Sequence, residues 1–183
     1  MPTGEAGPGA SGAGARGSGA LVGRFVILVD GGSGSGKTTL ATRWAAELGA
    51  QLISLDDVYP GWDGLDAASA LVAEALLEPA VGRWRSWDWE AGTPGSDWHR
   101  VETDRPLIVE GCGALSRAAR ARADLAVWLE LDADVRRRRA IDRDGETFAP
   151  YWRMWAEQEA RFFERERPDR LADIVIDGTL LDV

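Results

Sequence analysis

The feature that most constrains this chain is the run Gly31-Gly32-Ser33-Gly34-Ser35-Gly36-Lys37-Thr38, which comes just after the apolar stretch 25–29. It matches the pattern G-x-x-x-x-G-K-[S/T], and residues 39–48 carry apolar side chains at helical spacing. At such a strand-to-helix junction, backbone N–H groups close around a phosphate and the positive end of the helix points at it. A Gly/Ser-rich linker that matches by chance is the alternative, but it would not explain the flanking strand and helix. The sequence therefore predicts a phosphate-binding loop.

The side chains of this loop have separate predicted roles. Lys37 supplies a movable positive charge, and it is the only lysine among 21 basic residues, the others being arginine. The hydroxyl of Thr38 is a ligand suited to Mg²⁺. The residues that we expect to bind the phosphates are Gly31, Gly32, Ser33, Gly34, Ser35, Gly36, Lys37, Thr38 and Thr39.

Composition argues against several other classes of protein. The net charge of −9 over 183 residues disfavours general affinity for nucleic acid or an anionic membrane. The single cysteine, Cys112, excludes an internal disulfide framework and is compatible with a reducing compartment. No apolar run approaches the roughly 20 residues needed to cross a bilayer, and no signal segment begins the chain. We therefore expect a cytoplasmic protein with a small-molecule partner and no nucleic-acid or membrane partner. Assembly into a homo-oligomer is a possibility that the composition leaves open.

The chain divides into an unstructured start and one domain. Residues 1–20 are mostly Gly, Ala, Ser and Pro, a composition that predicts a disordered tail. Residues 21–183 are long enough for a single domain with a substantial core, and apolar strands alternate with helices along them. The predicted strands are 24–30, 51–55, 105–111, 125–131 and 172–177. This alternation predicts a three-layer α/β/α fold around a parallel five-stranded sheet.

Carboxylates follow two of these strands. Asp56 comes directly after strand 51–55, and Glu110 lies near the end of strand 105–111. Chemistry gathers at the carboxyl ends of the strands in open α/β sheets, so Asp56 is a candidate catalytic base or metal partner. An aspartate that caps a helix or turns the chain is the alternative. Glu110 resembles the carboxylate of a Walker B strand and is placed to hold a Mg²⁺-bound water.

The segment 82–101 is unusual, because it is rich in tryptophan but shows neither helical nor strand periodicity. Tryptophan presents a flat apolar face and one N–H donor, which suits a planar ligand ring. A satellite core under a long loop would use the same residues, and both interpretations stay open. His99, the only histidine, is either a hydrogen-bond partner for a substrate or a surface residue. The tryptophans are Trp84, Trp87, Trp89 and Trp98.

A basic helix is predicted to begin near Asp132. Its arginines are Arg136, Arg137, Arg138, Arg139 and Arg143. Such a run usually forms a solvated helix face. Because this helix follows a strand of the same sheet, we favour a phosphate-binding role for Arg139 and Arg143.

The order of these motifs resembles the uridine kinase and phosphoribulokinase group of P-loop kinases along most of the stretch 25–177. Four segments carry the resemblance: the phosphate loop at 31–39, Asp56-Asp57-Val58-Tyr59, the arginine-rich lid helix at 132–144, and the closing strand Ala172-Asp173-Ile174-Val175-Ile176. The loop is shared by many nucleotide-binding proteins, but the four motifs in this order are much more specific.

The resemblance implies phosphoryl transfer from ATP, with Mg²⁺, to a primary hydroxyl of a small molecule, most simply a nucleoside. Asp56 is then the base that accepts the hydroxyl proton, with Lys37 and Arg143 as the other catalytic groups and Thr38 and Glu110 near the metal ion. Arg139 and Arg143 would contact the ATP phosphates. The residues implied to contact the acceptor are Asp56, Tyr59, Trp62, Asp63, Trp87, Asp88, Trp89 and His99.

Two departures from the family pattern leave other functions open. Gly145-Glu146-Thr147-Phe148 follows the lid helix where the family has further basic residues, and tryptophans replace the family's Phe, Tyr and His near the acceptor. A kinase for a non-nucleoside alcohol, such as a pantothenate-like compound or a sugar phosphate, is the first alternative. A nucleotide-binding regulatory ATPase that phosphorylates no small molecule is the second.

Overall fold

A computed structural model of the chain describes residues 24–78 and 82–181. The disordered tail expected at 1–20 lies outside the described residues. The strands are β1 Val26–Gly31, β2 Gln51–Ser54, β3 Arg83–Asp88, β4 Thr93–Arg100, β5 Leu107–Glu110, β6 Leu125–Glu130 and β7 Ile174–Asp177. The helices are α1 Lys37–Leu48, α2 Leu65–Leu71 with a π-helical continuation Val72–Leu76, α3 Arg117–Arg120, α4 Ala133–Asp144, α5 Trp152–Glu166 and α6 Pro168–Leu171.

Five of these strands form one parallel sheet in the order β2-β5-β1-β6-β7. The central strand β1 is buried along its whole length. Its continuous apolar run therefore suits a sheet that is covered on both faces. The register sets Ser54 beside Glu110, so the ends of β2 and β5 meet next to the loop that leaves β1.

Helices cover both faces of this sheet. Alternate residues of β1 face opposite sides: Ile27 packs with Leu40 of α1, whereas Leu28 lies in the cluster that includes Trp155 and Phe162 of α5. The three-layer α/β/α fold around a five-stranded parallel sheet is thereby confirmed.

The tryptophan-rich segment forms a β-hairpin, which the sequence did not predict. Strands β3 and β4 pair antiparallel in a sheet of their own, with an irregular register between Arg85 and Trp87. Most of the hairpin is exposed on both faces, so the alternation of apolar and polar residues that marks a half-buried strand does not develop. Trp84 is the buried exception and stacks on His99 at 4.5 Å between ring centroids.

Candidate active site

The phosphate loop joins β1 to α1. Gly36 adopts the left-handed conformation with φ 97°, which suits glycine, and Lys37 begins the helix immediately after it. Within the described chain, no side chain caps this helix end, so its N–H groups face the adjoining cavity. That cavity measures about 510 Å³, and its lining residues are Gly34, Gly36, Lys37, Thr38, Thr39, Arg139, Asp142 and Arg143. An anion fits this end of the helix.

Lys37 is held inside the loop. Its ammonium donates to the carbonyl of Gly32 at 3.1 Å and approaches the sulfur of Cys112 at 3.5 Å. Burial lowers the pKa of this ammonium, but Cys112 and the carboxylates of Glu110, Glu159 and Asp30 outweigh it and raise the pKa overall. The side chain is therefore a fixed positive charge at the phosphate cavity.

Two hydroxyls converge on one carboxylate at the ends of β2 and β5. Thr38 Oγ1 donates to Glu110 Oε1 at 3.1 Å, and Ser54 Oγ donates to the same oxygen at 2.6 Å. Burial raises the pKa of Glu110, Lys37 and the two hydroxyls lower it, and the net shift is upward.

The oxygen ligands of Thr38 and Glu110 suit Mg²⁺, which takes one or two protein ligands and completes its shell with phosphates and water. The described residues include no group of three or more His, Cys, Asp or Glu side chains that could hold a metal ion by themselves.

Asp56 lies on a single 3₁₀ turn, Leu55–Asp57, directly after β2. Ser54 caps this turn by accepting the backbone N–H of Asp56 at 3.4 Å, so Asp56 does not serve as the cap. Its carboxylate is exposed and lines two cavities, a small one of about 30 Å³ against the loop and a larger one beyond it. Asp56 thus stands between the phosphate loop and an open pocket.

The larger pocket has a volume of about 900 Å³ and an aromatic wall. Its lining residues are Thr38, Asp56, Trp62, Trp89, Arg143, Asp144, Glu146, Thr147, Phe148, Pro150 and Tyr151. Trp62 is central to the wall, stacking on Tyr151 at 4.4 Å and on Phe148 at 5.5 Å and meeting Trp89 at 4.9 Å. Such a wall can hold a planar ring.

Similar proteins are found among kinases. The chain is 30% identical to a cytidylate kinase from Archaeoglobus fulgidus over 161 residues, which cover 86% of this chain and 82% of the relative. It is 33% identical to a uridine kinase from Halobacterium salinarum over 140 residues, 66% of this chain, and it spans 62% of that relative's length. A family model described as an AAA domain matches residues 26–86.

The chain belongs to the P-loop kinases. The four motifs predict a P-loop kinase that resembles uridine kinases, and the similarity to the uridine kinase agrees with this prediction. Solved structures share the fold: a possible uridine kinase from Bacillus stearothermophilus has a TM-score of 0.58 at 22% identity, covering 85% of this chain and 89% of that one. A gluconokinase from Sinorhizobium meliloti has a TM-score of 0.54 at 20% identity, covering 86% and 84%. No helix in the described part of this kinase is long and apolar enough to span a membrane.

The structure separates the residues expected to contact the acceptor. Asp56, Trp62 and Trp89 line the aromatic pocket together. Asp63 is exposed and, like Trp87, is not among the residues that line it.

Tyr59, Asp88 and His99 are placed differently from the expectation. The ring of Tyr59 is 2% exposed and packs edge-on against Trp155, while its hydroxyl donates to the carbonyl of Cys112 at 2.9 Å. Burial raises the pKa of this hydroxyl well above its usual value. Asp88 accepts backbone N–H groups within its own turn, and His99 stacks on Trp84. These three side chains have packing or turn contacts in the structure, and none of them lines the aromatic pocket.

The two lid arginines of the kinase line the phosphate cavity, and each also has a protein partner. Arg139 donates to the carbonyl of Gly178 at 3.1 Å. Arg143 makes a two-pronged pair with Asp144 at 2.7 and 2.6 Å, and this pairing raises its pKa. Arg143 borders both the phosphate cavity and the aromatic pocket.

Sequence reasoning missed residues on both sides of the kinase site. Phe148 and Tyr151 complete the aromatic wall, but the sequence of the segment after the lid helix shows only a lack of basic residues. Arg136 and Glu159 contact the phosphate loop. A signal for Glu159 was available, since a lone acid on the apolar face of α5 is expected to have a buried partner.

Proposed function

We propose that this kinase transfers the γ-phosphoryl group of ATP to a primary hydroxyl of a nucleoside. The observation that carries the proposal is the shared border of the two cavities. Thr38 and Arg143 line both the phosphate cavity and the aromatic pocket, and Asp56 lies at the point where the pocket approaches the loop. An acceptor hydroxyl in the pocket can therefore approach a phosphate at the loop.

In the proposed reaction, the acceptor oxygen forms a bond to the γ-phosphorus as the bond to the leaving ADP oxygen breaks, and the hydroxyl proton passes to Asp56. Lys37 and the N–H groups at the start of α1 hold the phosphates. Arg139 and Arg143 stabilise the charge on the moving group. Positioning and electrostatics supply most of the catalysis in such transfers.

Magnesium fits the same scheme. Thr38 and Glu110 would hold the ion, directly or through water, where their oxygens already converge. When bound, Mg²⁺ neutralises charge on the β- and γ-phosphates.

The charges of the aromatic pocket favour an uncharged acceptor. Asp56, Asp144 and Glu146 line it, against the single guanidinium of Arg143, which is already paired with Asp144. A phosphate or carboxylate on the acceptor would meet net negative charge. A nucleoside offers a neutral ring for the aromatic wall and a primary hydroxyl for transfer.

The same proposal includes the location and partners of the kinase. The kinase works in the cytoplasm and binds no nucleic acid, in keeping with its net charge of −9.

The test is release of ADP from Mg·ATP with a panel of uridine, cytidine, their 5′-monophosphates, gluconate, shikimate and pantothenate. Asp56→Asn should abolish the stimulation given by a nucleoside and keep the affinity for ADP. Asp57→Asn is the matched control, since Asp57 is the adjacent carboxylate on the same turn and does not line the pocket.

Other outcomes identify the alternatives. Stimulation by pantothenate, a sugar acid or a nucleotide, and by no nucleoside, would assign a different acceptor. ADP release that ignores every acceptor and survives Asp56→Asn would indicate a regulatory ATPase.

A further inference from the structure

Glu159 places a buried carboxylate against the phosphate loop. Glu159 lies on α5 and is only 2% exposed. Oε1 accepts the backbone N–H of Ser33 at 2.6 Å and the indole N–H of Trp155 at 3.0 Å, and the Cys112 thiol lies at 3.2 Å. A carboxylate accepts at both of its oxygens, whereas an amide has one accepting oxygen and would turn its N–H groups either toward these donors or toward the guanidinium at the second oxygen.

The other oxygen of Glu159 is paired with Arg136 of α4. Arg136 Nη1 donates to Glu159 Oε2 at 3.1 Å and to the carbonyl of Ser33 at 3.2 Å, and its Nε donates to the carbonyl of Leu131 at 3.2 Å. Ser33 is therefore held from both its N–H and its carbonyl. The guanidinium makes these contacts from two nitrogens, Nη1 and Nε, whereas a lysine ammonium offers one nitrogen and would lose the contact that Nε makes with Leu131.

The loop and α4 are in direct contact at this point. A Cβ at Gly32 would collide with the guanidinium of Arg136, and a Cβ at Gly34 would collide with the backbone carbonyl of Arg136. The approach of α4 thus requires glycine at position 34, where the contact is with backbone, and a side chain at position 32 would displace the guanidinium of Arg136. The ion pair with Glu159 fixes the side chain of Arg136, the residue of α4 that contacts the loop.

Arg136 also stands on the helix that carries the lid arginines. Arg139 and Arg143 follow it by three and seven positions. Those spacings place all three on one side of a helix. Because Arg139 and Arg143 line the phosphate cavity, the position of Arg136 on the loop determines where they stand relative to bound phosphate.

We propose that Glu159 and Arg136 are a positioning pair for nucleotide binding: together they hold the phosphate loop and the arginine side of α4 in the relative geometry that ATP requires. Neither side chain needs to touch the reacting atoms. The proposal concerns the donor side of the site and does not depend on which acceptor the kinase uses.

The test compares nucleotide affinity with folding stability in four variants. Glu159→Gln keeps the shape of the side chain and removes its charge. Arg136→Lys keeps the positive charge and replaces the planar guanidinium with a single ammonium group. The double variant Glu159→Gln/Arg136→Met leaves no buried charge unpaired. Glu157→Gln is the matched control, since Glu157 stands on the same helix in an exposed pair with Arg153. Titration calorimetry with Mg·ADP and with a non-hydrolysable Mg·ATP analogue measures affinity, and thermal unfolding measures stability.

We expect Glu159→Gln and Arg136→Lys to weaken nucleotide affinity by roughly tenfold, the effect of losing about one charge-assisted hydrogen bond. Glu159→Gln should also lower the unfolding temperature, because it leaves Arg136 partly buried without its counter-ion. The double variant should regain the unfolding temperature but not the affinity. Glu157→Gln should change neither.

Recovery of both affinity and unfolding temperature in the double variant would show that the pair is only structural and would overturn the proposal. The same conclusion follows if Arg136→Lys binds nucleotide like the wild type. If Glu159→Gln does not fold, the double variant and Arg136→Lys still decide the question. Because these assays contain no acceptor, their result is independent of the nucleoside assay.

Discussion

The indole of Trp62 lies almost parallel to the ring of Tyr151, with an interplanar angle of 7° and 4.4 Å between centroids. Trp62 follows β2 and Tyr151 follows the lid helix, so the stack joins the two sides of the aromatic pocket. The wall that we propose for the acceptor ring is therefore built by segments that are far apart in the chain.

Trp62→Ala should raise the KM for the acceptor by roughly tenfold, since aromatic stacking contributes about 1 kcal/mol beyond the area that it buries. The KM for ATP should change little, because Trp62 does not line the phosphate cavity. Steady-state kinetics with each substrate varied in turn gives both values. Trp98→Ala is the control, since Trp98 is 57% exposed on the hairpin and lies outside the pocket lining. A rise confined to the KM for ATP would contradict the assignment of the pocket.

Lys37→Ala should lower kcat/KM by about two to three orders of magnitude, as removal of a preorganised charge from a transition-state site does. Lys37→Arg should not restore the rate, because a planar guanidinium is larger than the compact ammonium that donates to Gly32 at this buried position. Initial rates at saturating acceptor measure the effect. A rate that is unchanged in Lys37→Ala would remove the loop lysine from the mechanism.

Glu110→Gln should raise the Mg²⁺ concentration needed for half-maximal activity by roughly tenfold, the usual cost of altering a group that holds or orients a metal ligand. Ser54→Ala is the graded comparison: it removes the hydrogen bond of 2.6 Å to Glu110 but keeps the carboxylate, so its effect should be smaller. Activity is titrated against free Mg²⁺ at fixed ATP. Equal Mg²⁺ requirements in all three proteins would exclude Glu110 from the metal site.

Asp30 should make the stability of the protein depend on pH. It is fully buried at the end of β1 and accepts the backbone N–H groups of Gly31, Gly113 and Leu115. Burial raises its pKa from 3.8 to about 6, because the loss of hydration outweighs these hydrogen bonds and the nearby charge of Lys37.

A raised pKa means that the folded state binds the proton more tightly than the unfolded state. The contribution of protonated Asp30 to the free energy of unfolding is therefore present in full below the pKa of the unfolded state. This contribution is lost as the pH rises through the pKa of the folded state. From the pKa values of 3.8 and about 6, Asp30 accounts for a loss of about 3 kcal/mol in the free energy of unfolding between acid and neutral pH.

Urea unfolding at a series of pH values, for wild type and Asp30→Asn, checks this effect. The variant does not titrate at this position, so any stability advantage of the wild type should shrink as the pH rises through about 6. A difference that is constant with pH would show that Asp30 keeps an ordinary pKa in the folded protein.

The sequence by itself determined the features that depend on short stretches of chain. The phosphate loop is recognisable because its eight residues and flanking strand and helix are contiguous, and the parallel sheet follows from apolar runs that alternate with helices. The placement of Asp56 and Glu110 at one edge of the sheet also follows, because parallel strands bring their carboxyl ends to the same edge.

Only the tertiary structure decided which side chains reach the pocket and which contact the loop. Tyr59 stands three positions after Asp56 in a family-like motif, yet its ring turns into the core against Trp155. Glu159 reaches the N–H of Ser33 across 126 residues of sequence. Local pattern determines which residues form helices and strands, because backbone hydrogen bonding and periodic burial act over a few residues. The partners of a buried charge or an aromatic ring depend on how those elements pack, and packing is a property of the whole chain.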